Sequence, residues 1–439
     1  MANHGVYLFI TPFFPSPMTW RGGYCLDFAK SLMRQTSCAN RRMRVCLFVP
    51  GASDYEIDGV KVHGFREWRL PSNIFPNLFA WWNKRRFLAA VAKIGIDLAD
   101  VVVCHANTAN LGIYSLAVKA RNPNCMTLLH HHDLASFGLN MGVMRHCWFY
   151  NMIQYPVLRR MHEKIDCHVF ISEASRRSFL AAPNASWTEY ADYKKQMRGL
   201  PYRPVRIKSS VILHNGVDKR IFRVEVKSAS RPKERSHFAI GCVGNFQELK
   251  GQETLIRAVA RVNEVAMEKI GSSSAKATKG VDAGPRKIKI LFVGSGERLE
   301  PCKRLARELG VDVEFLREVS HEKLAAFYRQ LDLFALPSWF EGFGCVYTEA
   351  HACGVPFIAC EGQGVADVLV VEKVGVGEER SPWLCRPRDP TDLARVIERA
   401  ITELEKAGEE QRDVNLIQPL NEDQDIDSLV GRFVKEIGL

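Results

Sequence analysis

Short apolar runs of strand length, each followed by a stretch with helical spacing, recur along the whole 439-residue chain. That alternation limits the possible folds more than any other feature. "VYLFIT" (Val6 to Thr11), "RVCLFV", "DVVVCH" (Asp100 to His105), "CMTLLHHHD" (Cys125 to Asp133), "DCHVFIS" (Asp166 to Ser172) and "SVILHNGVD" (Ser210 to Asp218) read as strands. After Gly22-Gly23, Leu26, Ala29 and Met33 recur at helical spacing. Strand–helix–strand crossovers give parallel sheets, and strands covered on both faces read as unbroken apolar runs.

The pattern lapses in "VKSASRPKERS" (Val226 to Ser236), which is polar and without period and reads as a linker. It then restarts with "FAIGCVG", "IKILFVGSG", "VDVEFL", "LDLFALP" and "VPFIAC". Low-complexity "GSSSAKATKGVDAGPRK" (Gly271 to Lys287) reads as a flexible loop insertion. The expected fold class is α/β, with two doubly wound domains facing across a cleft. The expected boundaries are residues 1–218, a linker at 219–236, a second domain at 237–415, and a closing helix at 416–439 that packs back on the first domain. Ligands of such sheets bind outside the carboxyl ends of the strands, and a cleft between domains is a natural active site.

No apolar run reaches the roughly 18 residues of a bilayer span. The start, "MANHG", leads directly into a strand pattern, without a basic n-region, an apolar h-region or a cleavage site, so a cytoplasmic protein is expected. The 13 cysteines are odd in number, scattered through apolar segments and lack any C-x-x-C pair, so buried free thiols are expected rather than disulfides. The net charge of +11 is uneven. Through Asp218 there are 27 basic and 14 acidic residues, a net of +13; from Lys219 on there are 33 and 35, a net of −2. A basic half faces phosphates, in nucleic acid or in an anionic membrane.

Several stretches carry chemistry. In "VGNFQELKGQETLIRAV" a strand ends at Val243, Gly244 permits close backbone approach, and Lys250-Gly251 precedes a helix, an arrangement suited to phosphate. "GSGERLE" lacks the third glycine of a dinucleotide fingerprint. His130, His131 and His132 are consecutive on a strand, so their side chains alternate between faces and do not converge easily on one metal ion. His132, at the strand end beside Asp133, is the one placed to face a cleft. "EGFGCVYTE" (Glu341 to Glu349) sets two carboxylates around Gly342 and Gly344, whose loop lets backbone N–H groups point at a ligand. A helix is expected from about Cys345 to Cys353, stopped by Gly354 with Pro356 beyond. Glu349 then lies about one turn, roughly 6 Å, into that helix.

Taken in order, these motifs resemble family 4 glycosyltransferases, the retaining enzymes of the GT-B class. Gly22-Gly23 resembles the family's N-terminal glycine pair, His132-Asp133 its histidine motif, and "FISEASRRSFL" its "vSe" helix. "HNGVDKRIF" (His214 to Phe222), "VGNFQELKG" and the E-x7-E spacing from Glu341 to Glu349 complete the match. The resemblance implies two Rossmann-like domains, the second binding a nucleotide-diphosphate sugar, UDP- or GDP-linked. It implies that Glu349 takes the ribose hydroxyls, since a carboxylate accepts two hydrogen bonds at once. Glu341 would hold the transferred sugar, Lys250 would neutralise the diphosphate, and the amides of Gly23, Phe343, Gly344 and Cys345 would add donors. Gly22, Gly244 and Asn245 would shape the same donor site. His132 would face the reacting sugar and acceptor. No metal or other cofactor is expected, because the lysine and the helix dipole stabilise the leaving diphosphate.

Two departures stand out. Asn245 replaces the family's usual arginine and supplies no charge, and Asp367 in "EGQGVADVL" replaces a familiar glutamate. "GQG.ADVL" resembles a subgroup associated with capsular or teichuronic polysaccharide assembly. The expected acceptor is therefore a glycan, lipid-linked, at the inner face of the cell membrane. "FAWWNKRRFLAAVAKI" (Phe79 to Ile94) and "MRHCWFYNMIQYPVLRRM" (Met144 to Met161) mix aromatics with bases, as suits an anionic bilayer surface. The alternatives are a nonhydrolysing sugar-nucleotide epimerase of the same architecture, an inactive homologue, and a basic nucleic-acid-binding protein. No nucleic-acid module is recognised, so nucleic acid is not an expected partner.

Overall fold

A computed structural model describes residues 5–16, 22–38, 43–68, 79–132, 134, 148–180, 205–225, 237–273, 287–317, 319, 321–373, 379–407 and 413–439. The polar stretch 226–236, most of the expected insertion (274–286) and Asp133 lie outside these residues. Contacts divide the chain into two compact units. One comprises Met1–Gly216 with Gln424–Leu439, and the other Val217–Asp423.

The first unit holds strands β1 (Val6–Ile10), β2 (Arg44–Pro50), β3 (Tyr55–Ile57), β4 (Val60–Phe65), β5 (Val101–Ala106), β6 (Met126–His131), β7 (Cys167–Phe170) and β8 (Ser210–Ile212). They form one sheet in the order β3-β4-β2-β1-β5-β6-β7-β8. All neighbours run parallel except β3 against β4. That hairpin turns at Asp58 and Gly59, both left-handed at φ 49° and 78°. The central strand β1 is buried at all five residues, as a sheet covered on both faces requires.

Helices α1 (Gly23–Cys38), α2 (Ala80–Lys93), α3 (Gly112–Lys119), α4 (Trp148–Lys164) and α5 (Glu173–Leu180) supply the covering layers. One apolar cluster joins Leu8, Phe48, Phe87 and Tyr114, and another joins Tyr7, Phe9, Phe28 and Leu47. The C-terminal helix Ile426–Glu436 packs on α1 within this unit. Asp427 accepts from Ser31 Oγ at 2.5 Å and from Arg34 Nη2 at 2.6 Å, and Leu429, Val430 and Phe433 join the second cluster.

The second unit repeats the architecture. β9 (His237–Val243), β10 (Lys287–Val293), β11 (Asp312–Leu316), β12 (Leu333–Ala335) and β13 (Phe357–Cys360) are followed by a short hairpin, β14 (Glu372–Lys373) and β15 (Glu379–Arg380), and by β16 (Leu384–Cys385). The main sheet runs β11-β10-β9-β12-β13-β16, entirely parallel. This is the doubly wound order 3-2-1-4-5-6, whose switch point lies between β9 and β12. In the first unit the order reverses between β1 and β5. The helices α6 (Gln252–Ser273), α7 (Leu299–Glu308), α8 (His321–Tyr328), α9 (Cys345–Ala352) and α10 (Pro390–Ala407) belong to the second unit. Both units are α/β and doubly wound, as the GT-B resemblance implies.

Candidate functional site

In the second unit the switch point is flanked by two loops. One leaves β9 and the other leaves β12. The first carries Gly244, Asn245 and Lys250, the second Glu341 and Gly344. They are tied together by backbone. Trp339 N donates to Leu249 O at 3.0 Å, Ser338 Oγ to the same oxygen at 3.1 Å, and Trp339 Nε1 to Glu248 O at 3.1 Å. These ties set Lys250 beside Glu341, and the ammonium donates to the carboxylate. Both side chains are largely but not fully covered, at 19% and 17% exposed. An ion pair so placed is reachable by a ligand.

The glycine loop is fixed by crowding. Gly344 sits at φ +79°, and a Cβ there would lie 2.5 Å from Tyr347 Cε2 and 2.9 Å from Glu341 Cγ. Any other residue would push the helix start away from Glu341. The helix runs Cys345–Ala352 and stops at Cys353-Gly354, one residue short of the expected end. Glu341 N donates to Gln363 Oε1 at 2.7 Å, and Gly364 N donates to Glu341 O at 3.2 Å, so the "EGQG" segment braces the carboxylate's backbone from the other side.

Glu349 is buried on α9, 8% exposed. Its Oε2 accepts from the hydroxyl of Tyr328 at 2.9 Å. Burial first, and Glu349 second, push the Tyr328 phenol well above its ordinary range, so it acts as a fixed donor. Gly244 N is committed to Val293 O at 3.0 Å, so this glycine shapes the turn. Asn245 is exposed, and its carbonyl accepts from Gln247 N at 2.9 Å and from the buried Gln252 Nε2 at 3.0 Å. Phe343 is fully buried, while Cys345 at the helix start is not.

In the first unit, a small pocket at the carboxyl ends of β1, β5 and β6 is lined by Phe9, Tyr24, Asn107, His130, His132 and His214 among others. Gly22 starts α1 there at φ +90°, with room for no Cβ, since one would meet Phe13 O at 2.5 Å. At Gly23 a Cβ would meet nothing within 4 Å. The triple histidine splits between faces as its strand position dictates. His130 and His132 lie against each other on the pocket side, ring centroids 4.1 Å apart and tilted, with His105 stacked on His130 at 5.4 Å. His131 turns the other way, toward His162 and His168.

Asn107 decides which His132 nitrogen carries the proton. Its Nδ2 donates to Thr11 Oγ1 at 3.1 Å and to Cys25 Sγ at 3.0 Å, which leaves Oδ1 to accept from His132 Nε2 at 2.7 Å. His132 Nδ1 therefore carries the lone pair. Burial lowers the His132 imidazole to about 3, and burial with His132 nearby lowers His105 to about 3. These rings are neutral.

Residues 224–413 match the family described as Glycosyl transferases group 1. The matched segment contains Lys250, Glu341, Gly344 and Glu349. Among curated proteins the chain is similar to D-inositol 3-phosphate glycosyltransferase from Corynebacterium jeikeium, 33% identical over 166 residues, which are 36% of this chain and 34% of that protein. The chain thus matches only about a third of that relative's length. Among solved structures it is similar to sucrose-phosphate synthase from Thermosynechococcus elongatus, with TM-score 0.63 and 19% identity, covering 99% of both chains. It is also similar to Anabaena HepE in complex with UDP-glucose, with TM-score 0.61 and 16% identity, again over 99% of both. At these identities the structural likeness speaks for the fold.

The structure gathers the motif residues into two places. Lys250, Glu341, Gly344, Cys345 and Glu349 surround the switch point of the second unit, and Gly22, Gly23 and His132 lie at that of the first. Sequence reasoning missed four supporting residues: Tyr328, Gln363, Gln252 and Asn107. Gln252 and Gln363 stood inside noted motifs, Tyr328 and Asn107 in none. Tyr328 comes from α8, 21 residues before Glu349, and Asn107 is 25 residues from His132, so only the fold brings either pair together.

Proposed function

We propose that the chain is a retaining glycosyltransferase that moves a sugar from a nucleotide-diphosphate sugar to a hydroxyl of a glycan acceptor. The observation that carries this reading is the buried carboxylate of Glu349, oriented by Tyr328 on the helix that follows Glu341 of the Lys250–Glu341 pair, within the matched segment. A helix start with a glycine loop favours phosphate, and a fixed carboxylate one turn on favours neutral hydroxyls. Glu349 takes the ribose, Glu341 the sugar hydroxyls, and Lys250 the diphosphate. UDP is the first donor to test, because HepE is seen with UDP-glucose.

In the proposed reaction the bond from the sugar's anomeric carbon to the diphosphate oxygen breaks. The acceptor hydroxyl bonds to the same carbon from the same face. Its proton goes to the departing phosphate oxygen. The transition state is oxocarbenium-like, and Lys250 with the α9 dipole stabilises the leaving diphosphate. His132, its Nδ1 unprotonated, accepts from a sugar or acceptor hydroxyl. No metal is required.

For the acceptor we favour a lipid-linked glycan in cell-surface polysaccharide assembly, with the enzyme peripheral on an anionic membrane at its cytoplasmic side. Trp81 and Trp82 are 58% and 57% exposed on α2, and the Arg85 guanidinium lies 4.6 Å from the Trp81 ring centroid. Exposed aromatics beside bases fit a headgroup layer. Among the described residues no helix is long and apolar enough to cross a membrane. The second reading is a soluble phosphorylated acceptor, favoured by the basic first half and by the relative named for inositol 3-phosphate.

The test is thermal stabilisation by a panel of UDP- and GDP-sugars on wild type and on Glu349→Ala. One nucleotide should stabilise wild type and lose that effect in the variant; a flat panel on wild type would overturn the donor assignment. Donor incubated alone should stay unchanged, because an epimerase would yield a new sugar nucleotide. Sedimentation with phosphatidylglycerol vesicles at low salt separates the acceptor readings. Binding lost in a Trp81→Ala, Trp82→Ala double variant supports the membrane, whereas no binding by wild type supports the soluble acceptor.

A further inference from the structure

The histidine that faces away from the pocket belongs to a second cluster. His131 ends β6, His168 lies on the neighbouring strand β7, and His162 comes from α4. All three are buried. One ligating nitrogen from each can be chosen so that all three lie within 4.8 Å of one another. The rings stack, with centroids 5.2 Å apart for His131 and His168 and 5.5 Å for His162 and His168. Phe170 and Phe179 close the sides, at 4.7 and 4.4 Å from the His131 ring.

The hydrogen bonds prepare a lone pair on His168. His168 Nε2 is 3.1 Å from His162 O, and a carbonyl can only accept, so that nitrogen carries the proton. His168 Nδ1 is therefore unprotonated and accepts from His131 Nε2, 2.9 Å away; an ion bound at His131 Nε2 would move that proton to His131 Nδ1. A ring nitrogen anchored on a backbone carbonyl while its partner nitrogen faces inward is the usual arrangement around a metal-ligating histidine. None of the three takes part in the transfer site described above.

We infer that His131, His162 and His168 form a binding site for a first-row transition ion of the zinc type, which clamps the end of β6 to β7 and α4. Three imidazole nitrogens suit Zn²⁺ or Co²⁺ and not Mg²⁺ or Ca²⁺, which require oxygen donors. The fourth position goes to a water, as in other sites with three protein ligands. Bonds of about 2.0–2.1 Å in tetrahedral geometry set neighbouring nitrogens about 3.3–3.4 Å apart. The 2.9 Å pair must open by a few tenths of an ångström and the widest pair must close. Rotation of the rings supplies both. Ligating histidines must be neutral, and burial keeps His131 and His162 well below their ordinary range and His168 at about 4. The ion would hold the strand whose next residue is His132, and so would stiffen the pocket without touching substrate.

The alternative is a relay of neutral rings that never takes up metal. The full chain, freed of metal by chelator, is titrated with Co²⁺ and separately with Zn²⁺. The expected result is one ion per chain, with tetrahedral ligand-field bands from Co²⁺ and no sulfur-to-metal charge-transfer band. Zn²⁺ should raise the melting temperature, while Mg²⁺ and Ca²⁺ should not. His162→Phe keeps a ring against Phe179 and should abolish the bands. Wild type that takes up neither ion would overturn the assignment without recourse to any variant. So would a cobalt spectrum with thiolate bands, or one that survives both His162→Phe and His168→Phe.

Discussion

The pocket of the first unit and the loop pair of the second occupy equivalent positions in two similar sheets, yet their chemistry is opposite. Both lie where the strand order reverses, outside the carboxyl ends of the strands. In the first unit the groups are neutral: imidazoles, an asparagine and a tyrosine, with the His132 proton fixed by its hydrogen bond to Asn107. In the second the groups are charged: Glu349 held by a phenol, and Glu341 held by Lys250. In each unit the scaffold thus fixes where a ligand can sit, and the side chains at the switch point decide which groups are met there. Charged groups suit a diphosphate and its hydroxyl-rich nucleoside, and neutral groups suit a hydroxyl that must approach without being repelled.

The comparison breaks most severely at Glu349. Its removal should lower kcat/KM by about 10²–10⁴-fold, since two hydrogen bonds to a carboxylate are worth about 1.5–3 kcal/mol each. It also leaves the buried Tyr328 hydroxyl without its carboxylate, so a lower melting temperature is expected as well. Tyr328→Phe separates the two effects. It keeps the shape, loses only the orientation of the carboxylate, and should reduce activity by about tenfold. Steady-state kinetics on both variants decide; equal losses would mean that Glu349 acts only as Tyr328's structural partner.

Lys250→Ala tests the charge in the second unit. If the lysine stabilises the leaving diphosphate, kcat should fall by roughly 10²-fold, the scale of losing one preorganised charged donor. If it serves only to hold Glu341, Lys250→Ala and Glu341→Gln should be no worse together than either alone. A double-mutant cycle on kcat distinguishes these outcomes. Asn245 sharpens the question, since its exposed side chain supplies no charge where the resembling enzymes have arginine. Asn245→Arg should then raise affinity for the diphosphate and reduce the loss in Lys250→Ala.

The two units also differ in how much the sequence disclosed. The doubly wound class was legible in both, because strands buried on both faces produce apolar runs that nothing else explains. The helix from Cys345 was legible from its glycines and proline. The β3–β4 hairpin was not read, although Asp58-Gly59 is a strong turn signal, because its strands are short and one side is exposed. The side chains that orient the site were hidden for a different reason. Tyr328, Gln363 and Asn107 act through pairs set by tertiary packing, and no periodicity marks them. The histidine triplet shows both cases. Alternation on a strand foretold that His130, His131 and His132 could not converge, but the partners of His131 come from β7 and α4, beyond any local pattern.

In the neutral pocket, Asn107→Leu should cost about tenfold in kcat while leaving the KM for donor nearly unchanged. The substitution removes the hydrogen bond that selects the His132 tautomer, together with those to Thr11 and Cys25, and nothing that holds the nucleotide. A rise in donor KM instead would place the pocket on the donor side and end the contrast between the units.

The smallest effect concerns a thiol. Among the cysteines whose burial is described, Cys345 alone is not buried. Burial pushes the Cys25 thiol up to about 12, and Cys302 likewise to about 12, so neither supplies thiolate near neutral pH. Mild alkylation should therefore modify Cys345 ahead of these buried thiols, with the modified peptide read by mass spectrometry. A bound nucleotide sugar should slow the modification several-fold, because Cys345 starts the helix that we assign to the diphosphate and sugar. Cys345→Ala keeps the backbone N–H and should change activity by less than about threefold. Protection by the nucleotide together with that small loss would show that the loop works through its backbone. Alkylation unaffected by any nucleotide sugar would move the phosphate away from this helix start and leave Lys250 without its proposed partner.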